Sequence, residues 1–259
     1  GEGADEVLAG SGLYKKMLTL EKYRALPKSL RDRLLPWLIQ LFIRNKKVKR
    51  YLELSRHTLD NRYQGISSSL EPEDLRNGLF DIQQHESNLV SLFQRMHLKS
   101  NANNELNQMM YIDLKSWLPD DLLMKADKMT MAASQELRVP FLDHKLVEFA
   151  YSLPKQFKIN KGETKFLLRQ LGKDLLPREI LTRPKKGFPV PIMKWFETDL
   201  HNLASDMLLG KNSFVAGVMD SKVLSKMLEN HQDGTVDNSD RIWTLLVLEF
   251  WHKDIFSTN

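Results

Sequence analysis

The first six residues, GEGADE, combine a flexible backbone with acidic side chains. Gly1 and Gly3 carry no side chain, so a ligand could approach the backbone N–H groups of this segment closely. Glu2, Asp5 and Glu6 supply carboxylates that could hold a metal ion or orient an amine. A short acidic segment without a ligand is the alternative, and six residues do not decide between the two interpretations.

A second candidate for chemistry is the loop RPKKGFPVP at residues 183–191. Prolines stiffen its far end, and Gly187 permits unusual backbone angles. Lys185 places a movable point charge on this loop, which suits a phosphate group or the charge that develops in a transition state. A basic surface loop without a ligand is the plainer interpretation.

A third candidate is the segment GETKFLLRQLG, which predicts a short helix over residues 163–171 with Gly172 as its stop. Lys165 would lie in the first turn, where anions bind readily. Arg169 follows four residues later, so the two cations would share one face of the helix. A solvated helix face is the plainer interpretation of this spacing.

The elements that must position these residues are mostly helices, because apolar residues recur at intervals of three and four. Residues 138–143 are expected to be extended, since Pro140 disfavours the helical region for the residue before it. Asp143 suits the N-cap of the next helix. Convincing strand alternation is scarce, so the predicted fold class is mainly α. The predicted helices cover residues 13–26, 29–43, 73–98 (in one or two pieces), 107–117, 119–135, 144–152, 163–171 and 240–251.

Two of these helices carry predictions about burial. The sequence DRIWTLLVLEFW at 240–251 is apolar almost all round, which predicts a buried helix. In the helix at 119–135, Met129 and Met131 are expected to fill the core. Asp127 lies among these apolar residues, which predicts partial burial with a structural partner.

The composition sets limits on function. The 259 residues are 42% hydrophobic and 27% charged, which is typical of a globular protein. A net charge of +5 favours an anionic partner. The absence of cysteine excludes disulfides, thiolate metal sites and a cysteine nucleophile within this chain. The longest apolar stretch, at 34–43, is interrupted by Pro36 and Gln40 and is far shorter than a membrane span, so the predicted location is the cytoplasm.

Read in order, several segments resemble the C-terminal half of bacterial glutamine-hydrolysing asparagine synthetases. They are GEGADE, the block from LPDDLL to ELRVPFLDHKLVEFA, GETKFLLRQL, RPKKGFPVP and RIWTLLVLEFW. The resemblance covers nearly the whole chain, although residues 40–105 match only loosely. It implies that residues 1–259 are a C-terminal fragment of one synthetase domain. An N-terminal glutaminase domain and a phosphate-binding loop would be absent, and the fragment alone would be inactive.

The resemblance also implies a fold and a reaction. The fold would be the helical C-terminal portion of an α/β domain of the ATP-pyrophosphatase type. Such enzymes use ATP to adenylate the side chain of aspartate and release pyrophosphate. Ammonia from glutamine then attacks the adenylate to give asparagine and AMP. The implied partners are aspartate, ATP, Mg²⁺, the glutaminase domain and, through the full-length protein, a second subunit in a homodimer.

Site residues follow from the same resemblance. Glu2 matches a glutamate important for forming and using the acyl-adenylate, and the backbone of Gly1 matches a contact to ATP. Asp5 matches a position that can ligate Mg²⁺. Lys185 matches a loop lysine that stabilises charge in the adenylation transition state and on pyrophosphate, and Lys165 matches a second lysine that contacts phosphate.

One departure keeps other functions open. The family usually follows its acidic motif with Gly-Gly-Tyr, where this chain has Ala9, Gly10 and Ser11. A related ligase that forms an amide in an antibiotic, a peptide or a polysaccharide therefore remains an alternative. A non-catalytic helical module that binds nucleic acid is a second alternative, but the acids at residues 1–6 and 120–121 fit it poorly, so no nucleic acid is expected among the partners.

Overall fold

The computed structural model describes residues 2–31, 54–66, 78, 82–183, 187 and 190–256. The chain divides into two compact units. Unit 1 comprises Gly1–Ser67 and Val90–Pro184, and unit 2 comprises Ser68–Leu89 and Lys185–Asn259. The predicted helix at 29–43 lies outside the described residues beyond position 31, and so does most of the loop at 183–191.

Unit 1 is built mainly of helices, as the sequence predicts, with one short hairpin among its described residues. Of the long helix at Ile82–Lys99, the part from Val90 onward belongs to this unit. The elements are α1 (Ala4–Val7), α2 (Gly12–Arg24), α3 (Leu59–Arg62), α4 (Ile82–Lys99), α5 (Glu105–Lys115), a π-helical turn (Leu118–Leu123), α6 (Met124–Met131), a 3₁₀ turn (Pro140–Leu142), α7 (His144–Ser152), α8 (Lys155–Lys158), β1 (Ile159–Asn160), β2 (Glu163–Thr164), α9 (Phe166–Gly172) and α10 (Arg178–Thr182).

The core of unit 1 forms around α2 and α5. The inward faces of the two helices contribute most of its buried residues, among them Met17 on α2 and Met109 and Met110 on α5. Burial of such side chains stabilises the unit by about 1.5–3 kcal/mol each. A smaller cluster joins Val7 and Leu8, at the end of α1, to Ala150 on α7.

Side-chain caps set the starts of two helices, and the sequence predicts the first of these caps. The carboxylate of Asp143 accepts hydrogen bonds from the backbone N–H groups of Lys145 and Leu146, and α7 covers the predicted residues 144–152. The side chain of Asn104 accepts from the backbone N–H of Asn107 and starts α5. Each cap satisfies donors that the first turn of a helix leaves free.

The predicted helix over 163–171 is wrong in its first part. Ile159 pairs with Thr164 and Asn160 with Glu163, so this segment begins as an antiparallel hairpin. Lys161 and Gly162 occupy the turn with φ angles of 45° and 83°, the left-handed conformation that two-residue hairpins require. The helix α9 starts only at Phe166, and it ends at Gly172, where the sequence predicts its stop.

The burial predicted for the 119–135 helix is also wrong. Within α6 no residue is buried; Met129 is 67% exposed, Met131 is 53% exposed, and Asp127 is exposed. The helix ends before position 135 because Ser134 adopts a left-handed φ of 56° and the N–H of Gln135 bonds to the carbonyl of Thr130. This arrangement is a Schellman C-cap. Apolar periodicity predicts burial only where another element covers the face.

Unit 2 is a helical cluster. Its elements are α11 (Ile192–Glu197), α12 (His201–Leu209), α13 (Phe214–Val218), α14 (Ser221–Gln232) and α15 (Ser239–Phe256). Phe196, Leu208, Leu224 and Leu228 form its core together with one face of α15. The buried carboxylate of Glu249, on α15, accepts hydrogen bonds from the backbone N–H groups of Phe214 and Val215 and caps α13.

The helix predicted at 240–251 is confirmed as part of α15, but its complete burial is not. Ile242, Leu245 and Leu246 are buried, whereas Trp243 and Trp251 are each 51% exposed. Unit 2 therefore covers only one face of α15. No helix in the described part of the chain is both long and apolar enough to span a membrane.

Candidate active site

In the acidic loop at residues 2–6, both the backbone angle and the available space require glycine at position 3. Gly3 caps α1 with a left-handed φ of 85°, and a Cβ atom there would lie 2.3 Å from Cδ2 of Leu142. Leu142 belongs to the VPFLD segment, which runs irregularly into the 3₁₀ turn at Pro140–Leu142. The missing side chain thus makes room for a protein residue, and not for a ligand as the sequence suggests.

Asp5 forms an ion pair with Lys165. Oδ1 of Asp5 lies 2.5 Å from Nζ of Lys165, and the two side chains are 29% and 27% exposed. The pair therefore lies at the surface of unit 1 and is partly open to water. Two motifs that are 160 positions apart in the sequence, GEGADE and GETK, meet at this contact.

Gly10 forms the floor beneath this pair. A Cβ atom at position 10 would lie 1.8 Å from Oδ1 of Asp5 and 2.2 Å from Cε of Lys165. The backbone N–H of Gly10 donates to the carbonyl of Asp5 at 2.8 Å, which closes the loop back onto itself. Only glycine leaves space for the ion pair in this position.

The hairpin and α9 bring Lys165 to the acidic loop. Lys165 is the N-cap of α9 and has a left-handed φ of 52°. Leu168, on the first turn of α9, packs against the cluster of Val7, Leu8 and Ala150. Lys165 therefore has a left-handed backbone and precedes a helical turn that is held by packing, which is more restraint than a surface lysine on a regular helix would have.

Glu6, the last acid of the loop, is buried and only 2% exposed. Burial raises the pKa of its carboxyl group, and the charges of Asp5 and Asp113 act in the same direction. The three acids of the loop therefore differ: Glu6 points into the protein, Asp5 meets Lys165, and Glu2 is partly exposed at the start of the loop.

The departure from the family pattern has a structural explanation. Ala9 adopts a left-handed φ of 56° and is fully buried, so it occupies a conformation that glycine adopts more easily. The hydroxyl of Ser11 accepts a hydrogen bond from the backbone N–H of Leu13 at 3.2 Å and caps α2. Ser11 thus has a role in starting a helix, a role that requires no change of substrate.

A buried carboxylate behind the loop was missed by sequence reasoning. Asp113, on α5, is 0% exposed and accepts hydrogen bonds from the hydroxyl of Tyr14 at 2.5 Å, the hydroxyl of Tyr63, and the backbone N–H of Ile66 at 3.1 Å. Burial raises the pKa of Asp113 to about 6, although these hydrogen bonds act against the rise. An acid on the apolar stripe of α5, three residues after Met110, is the signal that could have found it.

A buried lysine lies in the same unit. Lys158 is 0% exposed, and Nζ donates a hydrogen bond to Oδ1 of Asn107 at 2.6 Å. Burial lowers the pKa of its ammonium group to about 8. Nδ2 of Asn107 in turn donates to the carbonyl of Tyr151, so the three residues tie α5, α7 and α8 together.

The predicted site residues have different outcomes. Asp5 and Lys165 are brought together, and Glu2 lies three residues before Asp5 on the same loop. Gly1 and Lys185 lie outside the described residues, so the predicted approach of Lys185 to Glu2 stays a prediction. Arg169 does not face a ligand with Lys165; its guanidinium donates to the carbonyl of Leu181 and joins α9 to α10.

The geometry is compatible with Mg²⁺ and phosphate. The described residues contain no cluster of three or more potential metal-ligating side chains. Mg²⁺ usually keeps several waters and takes one or two carboxylates together with phosphate oxygens, so a partly exposed aspartate suits it. Asp5 offers such a carboxylate, and Lys165 beside it offers a compensating positive charge for a phosphate group.

Comparison with known proteins gives a consistent result. The family model described as asparagine synthase matches residues 1–253. Asparagine synthetase (glutamine-hydrolysing) 1 of Bacillus subtilis strain 168 is 32% identical over 98% of this chain and 39% of its own length. The putative asparagine synthetase (glutamine-hydrolysing) of Mycobacterium tuberculosis strain H37Rv is 36% identical over 97% of this chain and 38% of its own length.

The chain therefore spans about two fifths of the length of these relatives. The asparagine synthetase of Gallus gallus is 42% identical over 34% of the chain. No solved structure matches the chain significantly. The match to the family model covers almost every residue, including both partners of the Asp5–Lys165 pair, and the chain belongs to the asparagine synthase family.

Proposed function

We propose that this chain is the C-terminal part of the synthetase domain of a glutamine-dependent asparagine synthetase. The observation that carries the proposal is the contact of Asp5 with Lys165, which unites two family motifs at one partly exposed site. The family match and the named relatives support the same reaction class, a ligase that forms a carbon–nitrogen bond. In this proposal the helices of this chain are the C-terminal portion of an α/β domain of the ATP-pyrophosphatase type. A glutaminase domain and a phosphate-binding loop would belong to the remainder of the full-length protein.

The proposed reaction has two steps. A side-chain carboxylate oxygen of aspartate attacks the α-phosphorus of ATP, and the bond to pyrophosphate breaks. The nitrogen of ammonia, delivered from glutamine, then attacks the acyl carbon, and AMP leaves with the electron pair of the broken C–O bond. A proton released from the nitrogen passes to solvent or to a nearby base, and asparagine is formed.

The residues of this chain have distinct roles in the proposal. Asp5 would hold Mg²⁺, which supplies charge stabilisation for the phosphate oxygens when it is bound. Lys165 binds a phosphate oxygen, and the backbone of Gly1 contacts the nucleotide. Glu2 orients the acyl-adenylate, and Lys185 stabilises the charge that develops on pyrophosphate.

The ion pair suggests how Lys165 and Asp5 exchange partners. Without ligand, each charge neutralises the other at 2.5 Å. With a nucleotide bound, the ammonium group of Lys165 would turn to a phosphate group, and the carboxylate of Asp5 would then be able to hold Mg²⁺. Both charges remain compensated throughout, which avoids the cost of leaving either one unpaired in a partly buried site.

The direct test uses the full-length protein with ATP, aspartate and glutamine. We expect asparagine, AMP and pyrophosphate in equal amounts, and exchange of labelled pyrophosphate into ATP that depends on aspartate. Formation of a different amide, with no pyrophosphate exchange when aspartate is supplied, would favour a related ligase that acts on another acceptor. A location in the cytoplasm and a homodimer remain predictions for the full-length protein.

Variants then locate the site. Lys165→Ala should lower pyrophosphate exchange by about 10²–10³-fold, because it removes a preorganised charge next to the phosphates. Lys161→Ala is the matched control, since Lys161 is an exposed lysine in the adjacent hairpin turn, and it should retain the wild-type rate. Equal rates in the two variants would contradict the placement of the phosphates beside Lys165.

A further inference from the structure

The buried carboxylate of Asp113 lies at the junction of the elements that carry the candidate site. It is on α5, and it accepts hydrogen bonds from Tyr14 on α2 and from Tyr63 and Ile66 in the segment that follows α3. α5 also packs directly against α1, which contains Asp5 and Glu6. One side chain thus links α5 to two other parts of unit 1, α2 and the segment after α3.

The link to α2 leads directly to the ion pair. Tyr14 lies in the first turn of α2, two residues after the helix begins at Gly12. Gly10, just before that helix, forms the floor beneath Asp5 and Lys165. A shift at the start of α2 would therefore move Gly10 against both charged side chains.

Tyr63, the second tyrosine bonded to Asp113, is not connected to the ion pair through its own helix. Tyr63 donates to the same oxygen of Asp113, Oδ2, and it packs with Tyr14 at a ring-centroid distance of 6.3 Å. It belongs, however, to the segment after α3 and not to α2. The two tyrosines share an acceptor and a degree of burial, at 0% and 1% exposure, but only Tyr14 is connected through its own helix to the ion pair.

We propose that Asp113 is a positioning residue for the adenylation site, which it maintains by holding the hydroxyl of Tyr14 and so the start of α2 beneath the Asp5–Lys165 pair. The inference rests on the proposed function for its kinetic readout. Asp113 is buried and does not reach the substrate itself. Its effect on the reaction passes through Tyr14 and Gly10 to the two charged side chains.

Tyr14→Phe and Tyr63→Phe are a matched pair of tests in the full-length protein. Each removes one phenolic oxygen from the same acceptor and keeps the aromatic ring in the core. Tyr14→Phe should lower kcat about tenfold with little change in KM for aspartate. The reason is that even a small displacement of the charged pair disturbs the orientation of the reacting groups. Tyr63→Phe should lose as much thermal stability as Tyr14→Phe but keep kcat within about twofold of the wild-type value.

A spectroscopic readout separates this inference from the proposed reaction. In protein labelled with ¹⁵N at lysine, the signal of the Lys165 ammonium group reports its contact with Asp5, and Lys165→Arg identifies that signal. Tyr14→Phe should shift the signal and Tyr63→Phe should leave it unchanged. If the wild-type protein forms no asparagine, the proposed function fails, while the Lys165 signal still decides whether Asp113 acts through Tyr14.

A second variant covers the case in which Tyr14→Phe does not fold. Asp113→Asn keeps the shape of the side chain and an acceptor for the N–H of Ile66, but it weakens the bond to Tyr14. It should shift the Lys165 signal and lower kcat in the same direction. An unchanged Lys165 signal in the folded variants, or equal losses of kcat in the two tyrosine variants, would overturn the proposal.

Discussion

Substitution of Gly10 by alanine should disable the site without unfolding the protein. The new Cβ atom would lie 1.8 Å from Oδ1 of Asp5 and 2.2 Å from Cε of Lys165, where ordinary contacts are about 3.5 Å. Each group must therefore move by about 1.3 Å or more. Both are side-chain atoms, so the backbone need not shift, and the φ angle of Gly10 lies outside the left-handed region.

The expected magnitude follows from that displacement. A misplacement of about 1 Å in a catalytic arrangement can cost about 10²-fold in rate, so Gly10→Ala should lower pyrophosphate exchange in the full-length protein by about that factor. Its stability should change by less than about 2 kcal/mol, because crowding is partly offset by the lower entropy of the unfolded chain. Exchange kinetics and thermal unfolding measure the two effects separately.

Gly12→Ala is the control for Gly10→Ala. A Cβ atom at position 12 meets no atom within 4 Å, and Gly12 is exposed at the start of α2. Alanine there should retain the wild-type rate and stabilise the helix by up to about 1 kcal/mol. Wild-type exchange by Gly10→Ala would refute the assignment of the site to the Asp5–Lys165 pair, and equal loss in both variants would show that the effect is not specific to the pair.

Three other predictions concern stability, measured by denaturant unfolding. Gly3→Ala should destabilise unit 1 by about 3 kcal/mol, because alanine is strained at a φ of 85° and its Cβ meets Leu142 at 2.3 Å; a stable variant would contradict the packing of the loop. Glu249→Gln should cost about 2–3 kcal/mol, because hydrogen bonds to a charged acceptor are lost. Burial would raise the pKa of Glu249, but hydrogen bonds from Val215 and its neighbours lower it overall, so this contribution should be present above the unfolded pKa of about 4.5 and disappear as the pH falls through the folded pKa. The pH dependence at Asp113 should have the opposite sign, because its pKa is raised from 3.8 to about 6. As the pH rises from 4 to 7, the wild type should lose up to about 3 kcal/mol of unfolding free energy relative to Asp113→Asn. A parallel pH dependence of the two proteins would contradict the burial of a charge there.

Local signals in the sequence predicted the helices with clear ends. Asp143 predicted the start of α7 because an N-cap acts on donors only two or three residues away. The same local reasoning failed at residues 163–165. Left-handed angles at Lys161 and Gly162 turned the chain into a hairpin, and helical spacing alone carries no information about that turn.

The sequence motifs alone predicted the family and the importance of Asp5 and Lys165, and the family match confirms the first of these. Their contact depends on tertiary structure, because the two residues are 160 positions apart and meet only through the packing of α9 on α1 and α7. The role of Lys185 remains a prediction from the motif.

Tertiary structure also decided which apolar faces and which acids are buried. The periodicity of α6 and α15 predicted core faces, yet Met129 and Trp243 are exposed, because a helix buries only the face that another element covers. In the sequence, Asp113 and Glu249 are single acids within apolar helical patterns, and the patterns do not identify their hydrogen-bond donors. Both are fully buried because donors from distant segments satisfy their oxygens, and the free energy of a buried charge depends on partners that only the folded chain brings together.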